Sequence, residues 1–338
     1  MESANELKNS DRKQAIRAWL QDCGIEAIDL TAMQGDASFR RYFRLQTPKG
    51  TFVVMDAPPS HEQCGPFVAI AAALRAMKLH VPDIIAADIA KGLLLLTDFG
   101  DTTYLKALTT NNADVLYQQA LAALAVLQGC RQVPNHVVPP FTIAFMQQEW
   151  SWHKEWFLEK LLGLSIPLEF DKYYTHIVEQ AAAQPQVFMH RDFHSANLMV
   201  LPNAVGILDF QDAFIGPITY DAVSLLRDCY IAWPENKVQQ WALHYASHLR
   251  ALNVLDASDE TFMYWFDLMG MQRHLKALLT FARKSVRDDQ HAYLQHIPRT
   301  LDYVLKVSAR YPEFDAFHDY YQHTVGPALA RMNVSCAP

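Results

Sequence analysis

The sequence predicts an α+β protein of two lobes, a small antiparallel β-sheet lobe with one long helix and a larger, mostly helical lobe. Three observations predict this class. Short strand-like runs separated by turn signals fill the first hundred residues. From residue 111 onward the apolar positions repeat with a helical period. A chain of 338 residues also exceeds what one hydrophobic core usually holds. The expected division places residues 1–98 in the first lobe and 99–338 in the second.

The elements of the first lobe follow from local signals. Ser10 is expected to cap a helix that ends at Gly24. Five strands are then expected, at 27–33, 39–46, 51–56, 84–88 and 93–97. The long helix between the third and fourth strands is expected to begin at Pro66, which suits a first helical turn, and to run to Lys78.

The second lobe is expected to be helical around a short β element. Helical periodicity predicts helices at 111–130, 141–161 and 168–183, and a mostly helical segment at 219–331. The β element is expected at 187–212, where two apolar runs are separated by a Pro-Asn turn.

Composition excludes several classes of protein. The formal net charge is 29 − 36 = −7 and the sequence pI is near 6.0, so no nucleic-acid partner is expected. The polar N-terminal segment does not resemble a signal or transit peptide, and no apolar run is long enough to span a bilayer. Five scattered cysteines predict reduced thiols in the cytoplasm. Residues 1–98 hold 11 basic and 12 acidic residues, so the remaining 18 − 24 = −6 lies in the second lobe.

One stretch of the second lobe has the spacing of a catalytic segment. His190-Arg191-Asp192 and Asn197 follow the pattern H-R-D-x-x-x-x-N, and the second of two apolar strands ends at Asp209. Asn197 and Asp209 offer a neutral and a charged oxygen, and Mg²⁺ needs only one or two carboxylates besides phosphate and water. Phosphoryl transfer depends mainly on positioning and charge neutralisation, so these few groups suffice. A surface loop with capping Asn and Asp residues would not explain the two flanking strands.

This stretch, the β-rich first lobe and the helical second lobe resemble the aminoglycoside phosphotransferase/choline kinase family, the small-molecule branch of the protein-kinase-like fold. Several blocks are similar to the bacterial anomeric kinases for N-acetylmuramate and N-acetylglucosamine, which serve cell-wall sugar recycling. Those blocks are Gly35–Arg44, Val54–Pro59, Asp209–Ala213, Gly216–Asp221, Arg227-Asp228 and Gln272–Lys276. The resemblance covers most of residues 30–310.

The resemblance implies roles for individual residues. Asp192 would be the catalytic base, or at least the group that orients the acceptor hydroxyl, and Asn197 and Asp209 would hold Mg²⁺. A loop at 35–39 would cover the ATP phosphates, and backbone groups near 96–99 would meet the adenine. The nucleotide-binding residues implied in this way are Gly35, Asp36, Ser38, Phe39, Leu96 and Asp98. An ordinary β-turn is the alternative interpretation of the loop, which has one glycine and not three.

The third strand departs from the kinase pattern. Kinases place a lysine there that holds phosphate oxygens and pairs with a helix glutamate. Here Met55 stands at the lysine position, and Glu62, the nearest candidate glutamate, lacks that partner. Strand alternation puts Arg40 and Arg44 on one face and Arg41 on the other. We expect Arg44 or Arg40 to face the phosphates, with Arg44 the first candidate; solvated arginines are the alternative.

The acceptor is expected to be a small molecule. Gly216-Pro217 leads within four residues to Tyr220-Asp221, so there is no room for an activation loop and no protein substrate is expected. Asp221 is expected to cap the next helix or to brace the catalytic loop. Asp212, Glu149 and Arg273 are candidates to contact a sugar, and a loop cap, core packing and a solvated face are their respective alternatives.

Three functions remain open from the sequence. The first is an ATP- and Mg²⁺-dependent kinase acting on the anomeric hydroxyl of an amino sugar. The second is a phosphotransferase for another small alcohol, such as an aminoglycoside or a choline-like compound, which the acidic second lobe permits. The third is a nucleotide-binding pseudokinase that acts as a scaffold. Met55 suggests this last function, whereas the complete set of Asp192, Asn197 and Asp209 argues against it.

Overall fold

A computed structural model describes residues 2–33 and 39–332, with the main chain alone for residues 2–11. The chain divides into two compact units. The first comprises Met1–Thr102, Gln132–His136 and Gly206–Gln211, and the second comprises Thr103–Arg131, Val137–Val205 and Asp212–Pro338. Asp209 therefore belongs to the first unit, whereas Asp192 and Asn197 belong to the second. The functional division into residues 1–98 and 99–338 stays a prediction.

Antiparallel strands form the sheet of the first unit. They are β1 (Asp29–Ala32), β2 (Arg41–Thr47), β3 (Gly50–Asp56), β4 (Ile84–Asp88) and β5 (Leu93–Thr97). Their order in the sheet is β1-β2-β3-β5-β4, so β5 pairs with both β3 and β4. The bounds confirm the five predicted strands to within two residues. Helix α2 (Gly65–Ala76) follows β3 with Pro66 in its first turn, as predicted.

The first helix packs on one face of this sheet. Helix α1 spans Glu2–Asp22 and is followed by Gly24 in the left-handed region, at φ 70°, which agrees with the predicted end. The predicted start at Ser10 is wrong, because Glu, Ala, Leu and Lys residues upstream favour helix and extend it through the serine. The buried cluster between helix and sheet comprises Ile16, Trp19, Leu20, Leu30, Phe43, Leu45, Val54, Leu93 and Leu95.

The register between β2 and β3 assigns side chains to the two faces of the sheet. Phe43 lies opposite Val54, and both belong to the cluster under α1. Tyr42 lies opposite Met55, and because side chains alternate along a strand, this pair points to the other face. Arg44 shares the face of Tyr42 and Met55, as the predicted alternation requires.

Helices make up most of the second unit. They are α3 (Tyr104–Ala107), α4 (Ala113–Gln128), α5 (Ile143–Trp152), α6 (Asp171–Ala183), α7 (Tyr220–Leu226), α8 (Glu235–Ala251), α9 (Asp259–Asp288), α10 (Ile297–Ser308), α11 (Asp315–Tyr320) and α12 (Gly326–Arg331). They confirm the predicted helical segments, although the segment 141–161 changes at His153 into a π-helix that ends at Leu161. Among the described residues, no helix combines the length and apolar character needed to cross a membrane.

Two short β-pairs interrupt the helices. Strands β6 (Gln186–Met189) and β9 (Phe214–Pro217) pair antiparallel, and β7 (Leu198–Leu201) pairs with β8 (Ala204–Ile207). The β element predicted at 187–212 is thereby confirmed as three strands, while β9 lies beyond it. The segment between β6 and β7 is the loop that holds the H-R-D motif.

A buried ionic cluster anchors the long helix α9. The carboxylate of Asp267 accepts hydrogen bonds from Arg227 Nη2 at 2.6 Å, Arg310 Nη1 at 3.0 Å and the Tyr311 hydroxyl at 2.8 Å. The Arg227 side chain is 1% exposed and that of Asp267 3%. A buried charge is tolerated only with such partners, so the cluster ties α9 to the C-terminal end of α7.

We expect Asp267→Ala to lower the free energy of unfolding by about 3 kcal/mol, because the buried Arg227 charge loses its principal buried partner. Urea denaturation followed by circular dichroism measures this change. The control is Asp302→Ala, since Asp302 is 52% exposed and pairs with Lys306 on the surface; its change should stay within about 0.5 kcal/mol. Equal losses in the two variants would contradict this account of the cluster.

Candidate active site

A buried carboxylate holds the catalytic loop by its main chain. Asp221, in the first turn of α7 and fully buried, accepts hydrogen bonds from the backbone N–H of His190 at 2.7 Å and of Arg191 at 3.0 Å. Arg191 lies at φ 75°, a conformation that costs free energy for a residue other than glycine. The predicted brace is thus confirmed, and Asp221 holds the two backbone N–H groups that lead into the strained position.

A second buried carboxylate holds the middle of the same loop. Asp228 accepts from the Ser195 backbone N–H at 2.9 Å and from its hydroxyl at 2.5 Å, and also from the Tyr230 backbone N–H at 2.8 Å. The carbonyl of Ser195 in turn accepts from the backbone N–H of Leu105. In the sequence Asp228 belongs to a block, Arg227-Asp228, that is similar to the family, and no local pattern indicates its contact with Ser195.

Positive charges surround Asp192. The Lys276 ammonium lies 3.9 Å from Asp192 Oδ1, and the Asp192 side chain is 34% exposed. Desolvation raises the pKa of Asp192, but the charges of Lys276, His194, Arg191 and Arg273 outweigh it and hold the pKa well below its ordinary value. Asp192 is therefore ionised at neutral pH and can accept a hydrogen bond from an incoming hydroxyl.

The two predicted metal ligands are oriented within their own units. Asn197 Nδ2 donates to the carbonyl of Asp192 at 3.0 Å, which sets the direction of the amide. Asp209, at φ 62°, accepts from Gln211 Nε2 at 2.7 Å, so the glutamine that follows Asp-Phe steadies the carboxylate. An amide oxygen and a carboxylate are hard donors that fit Mg²⁺. The described residues contain no cluster of three or more His, Cys, Asp or Glu side chains suited to a metal ion.

The predicted nucleotide loop is only partly described. Gly35, Asp36 and Ser38 lie outside the described residues. Phe39, directly after them, is 62% exposed and stacks on the His61 ring with 4.4 Å between centroids.

The joint after β5 is an ionic cluster. Arg44 Nε donates to Asp98 Oδ2 at 2.7 Å, and Arg44 Nη1 donates to both carboxylate oxygens of Asp101 at 2.9 Å. Asp98 also accepts from the backbone N–H of Gly100 at 2.8 Å. The hydrogen bond that Arg44 donates to Asp98 is the largest contribution that raises the pKa of Arg44. Leu96, which precedes the joint, is buried in β5 opposite Val53.

The predicted acceptor residues occupy different environments. Glu149 is 3% exposed and accepts from Gln272 Nε2 at 2.7 Å, and its burial raises its pKa. Arg273 is 7% exposed, with Nη1 3.8 Å from the Cys229 sulfur. Both lie within electrostatic reach of Asp192, whereas Asp212 is exposed on the loop before β9. Lys276 is not among the residues predicted to contact a sugar, although it follows Arg273 at the i, i+3 spacing that places two side chains on one helix face.

Two buried histidines that lie in or against the segment 272–276 of α9 are neutral. His153 Nδ1 donates to the carbonyl of Leu275 at 2.8 Å, and the Tyr321 hydroxyl donates to His153 Nε2 at 2.8 Å. His274 Nε2 donates to the carbonyl of Arg227 at 2.9 Å. Desolvation lowers the pKa of each histidine to about 3. His274 is therefore a packing residue within the block 272–276 and does not present a charge to a substrate.

Comparisons with known proteins agree with these features. The model of the phosphotransferase enzyme family matches residues 29–257. The chain is 40% identical over 294 residues to the N-acetylmuramate/N-acetylglucosamine kinase of Pseudomonas putida, with 86% of each chain covered. It is 38% identical to the protein of the same name from Pseudomonas aeruginosa, over 91% of this chain and 95% of that one. The chain belongs to the phosphotransferase enzyme family.

Solved structures show the same fold. Choline kinase LicA from Streptococcus pneumoniae superposes with a TM-score of 0.62 at 11% identity, covering 89% of this chain and 100% of that one. The ADP-bound aminoglycoside phosphotransferase APH(2'')-Ib superposes with a TM-score of 0.57 at 13% identity, covering 87% and 98% of the two chains. The predicted α+β, protein-kinase-like fold is confirmed.

The buried histidines predict a loss of stability in acid. Each has a folded pKa near 3 against an ordinary value of 6.5, so unfolding takes up a proton as the pH falls below 6.5. By this linkage each neutral histidine lowers the free energy of unfolding by about 2 kcal/mol between pH 7.5 and pH 5. His153→Gln should shrink the stability difference between these two pH values by about 2 kcal/mol. Urea titrations of both proteins at the two pH values measure it.

Other groups also titrate between pH 5 and 7.5, so the pH dependence of the wild type alone would not identify His153. Asp221, for example, has a pKa raised to about 7 by burial, and its protonation favours the folded state as the pH falls. The difference between the wild type and His153→Gln isolates the proton taken up by this one histidine. An unchanged pH dependence in His153→Gln would show that His153 does not stay neutral in the folded protein.

Proposed function

We propose that this chain is an ATP-dependent kinase that phosphorylates the anomeric hydroxyl of an amino sugar, N-acetylmuramate or N-acetylglucosamine. Relatives at 38–40% identity have the name of a kinase for these two sugars. One observation in the structure favours this acceptor over the others, namely the Lys276 ammonium 3.9 Å from Oδ1 of the ionised Asp192.

Lys276 is one of several cations that act on Asp192. Lys276, Arg191 and Arg273 lower the pKa of Asp192, although the net charge of the whole chain is −7. The carboxylates within electrostatic reach of these groups include Glu149, Asp212 and Asp221. Lys276 would repel an ammonium group of an aminoglycoside, or a choline-like cation, placed beside the Asp192 carboxylate. N-acetylmuramate has a carboxylate and N-acetylglucosamine is neutral, so both are compatible with Lys276 at this position.

Asp192 would orient the acceptor. Its carboxylate accepts a hydrogen bond from the anomeric hydroxyl and aligns that oxygen with the γ-phosphorus. A bond forms from the anomeric oxygen to phosphorus, the bond from phosphorus to the bridging oxygen of ADP breaks, and Asp192 receives the hydroxyl proton. Because the pKa of Asp192 is low, the proton is transferred late, when the anomeric oxygen has already bonded to phosphorus.

The proposal also assigns residues to the binding of the nucleotide and of its metal ion. We assign nucleotide binding to residues 1–98, through Gly35, Asp36, Ser38, Phe39, Leu96 and Asp98, and acceptor binding to residues 99–338. Asn197 and Asp209 would hold Mg²⁺, which when bound neutralises charge on the ATP phosphates. The use of ATP on a small sugar is in keeping with a cytoplasmic enzyme.

The purified protein with ATP and Mg²⁺ should phosphorylate N-acetylmuramate and N-acetylglucosamine but not kanamycin or choline. Phosphorus NMR checks the position, because an anomeric phosphate couples to the proton on the first sugar carbon. The matched control is 1-deoxy-N-acetylglucosamine, which lacks the anomeric hydroxyl and should not react. Turnover of kanamycin or choline in preference to the sugars would refute the proposal, as would phosphorylation of the 1-deoxy sugar.

Asp192→Asn should lower kcat at least about 100-fold, because the amide neither takes the proton nor accepts the hydroxyl as strongly. Its dissociation constant for ATP should stay close to that of the wild type, which calorimetry measures. Asp302→Asn, at an exposed position on α10, serves as the control for the chemical change. Retention of turnover in Asp192→Asn would remove Asp192 from the catalytic role.

A further inference from the structure

Strand β3 presents no cation where kinases have a lysine. Met55 occupies that position, opposite Tyr42 in β2 and Leu94 in β5, and its side chain is fully buried. An ammonium group there would be enclosed by apolar neighbours and would need a buried partner. Any cation for this face of the sheet must therefore come from outside β3.

Arg40 provides a cation on the same face. The alternation along β2, continued by one residue before its first residue Arg41, puts Arg40 on the face of Tyr42 and Met55. Arg40 Nη2 lies 2.9 Å from Glu62 Oε2, and the two side chains are 12% and 15% exposed. The pair is thus largely enclosed but still accessible to a small ligand.

Neighbouring contacts fix this pair in place. The rings of Phe39 and His61 stack at 4.4 Å, so the residues just before Arg40 and Glu62 are also in contact. Arg40 and Glu62 both influence the thiol of Cys64, which immediately precedes α2. The glutamate therefore lies just before the helix that follows β3, and Arg40 immediately follows the predicted phosphate loop at 35–39.

The other two arginines of this segment are committed elsewhere. Arg44 donates hydrogen bonds from Nε, Nη1 and Nη2 to Asp98 and Asp101. The combined negative charge of these two carboxylates exceeds the single positive charge of Arg44. An anionic phosphate gains little from a cation that is already over-neutralised. Arg41 lies on the opposite face of the sheet, where it pairs with the buried Asp56.

We propose that Arg40, held by Glu62, replaces the missing strand lysine and binds the terminal phosphates of the nucleotide, an inference that rests on the nucleotide site of the proposed function. The planar guanidinium can bond a carboxylate along one edge and phosphate oxygens along another, which a lysine cannot do with the same geometry. Glu62 is a positioning residue in this arrangement, as the helix glutamate is for the lysine in protein kinases. Arg44 is instead the brace of the joint after β5.

Arg40→Ala should raise the dissociation constant for Mg·ATP by about 10- to 100-fold, the range for a lost hydrogen bond to a charged group. The affinity for adenosine, which has no phosphate, should not change. Arg40→Lys should fall between Arg40→Ala and the wild type, because it keeps the charge and loses the planar fork. Calorimetry for ATP and saturation-transfer NMR for adenosine measure the two affinities without any sugar present.

Arg41→Ala is the matched control, and its affinity for ATP should equal that of the wild type. Should Arg40→Ala fail to fold, Glu62→Gln tests the same pair, with an expected loss of ATP affinity of about fivefold and none for adenosine. Unchanged ATP affinity in Arg40→Ala, parallel losses of ATP and adenosine, or an equal loss in Arg41→Ala would each overturn the inference. A wild-type protein that binds ATP but phosphorylates no amino sugar would refute the proposed function alone.

Discussion

The arrangement of the catalytic loop depends on one buried carboxylate. Asp221 accepts hydrogen bonds from the backbone N–H groups of His190 and Arg191, and the left-handed conformation of Arg191 costs about 1–3 kcal/mol. Without that carboxylate these two hydrogen bonds would not offset the cost of the left-handed conformation at Arg191, and Asp192 would not project from the loop in a defined direction. Asp228 adds a second point of attachment through Ser195, so main chain on both sides of Asp192 is held.

The charge around Asp192 depends in turn on the long helix α9. Lys276 lies on this helix and contributes the largest electrostatic lowering of the pKa of Asp192. The position of α9 is fixed in its N-terminal half, where Asp267 binds Arg227 and Arg310. A buried ion pair thereby helps to fix where Lys276 lies relative to Asp192.

In the first unit the need to pair a largely enclosed charge with an opposite charge applies at three neighbouring arginines. Each of Arg40, Arg41 and Arg44 has a carboxylate partner, and the alternation of β2 decides which partner it meets. Arg41 supports the face under α1 through Asp56, Arg44 braces the joint, and Arg40 shares the face of Met55. The loss of a lysine at Met55 is thus compatible with a kinase, because a cation with a glutamate partner is present on the adjacent strand.

Local signals were enough for the elements and the central motif. Strands and helices are encoded in short periodic runs, and Asp192 and Asn197 lie five residues apart on one loop, so spacing alone identified them. The start of α1 was predicted wrongly because a serine also tolerates a helix interior when its neighbours favour helix. Alternation also predicted that Arg40 and Arg44 share a sheet face.

The sequence by itself determined the fold class, the phosphotransfer motif and the family of this protein, because each is recorded in patterns shorter than about 30 residues. Only the tertiary structure decided which distant side chains meet: Asp228 with Ser195, Lys276 with Asp192, Glu62 with Arg40, and Asp98 with Arg44. Periodicity tells which face a side chain occupies, but not which charge from another segment packs against that face. The partners that set the charge and geometry of a site are therefore selected by packing between segments far apart in the chain.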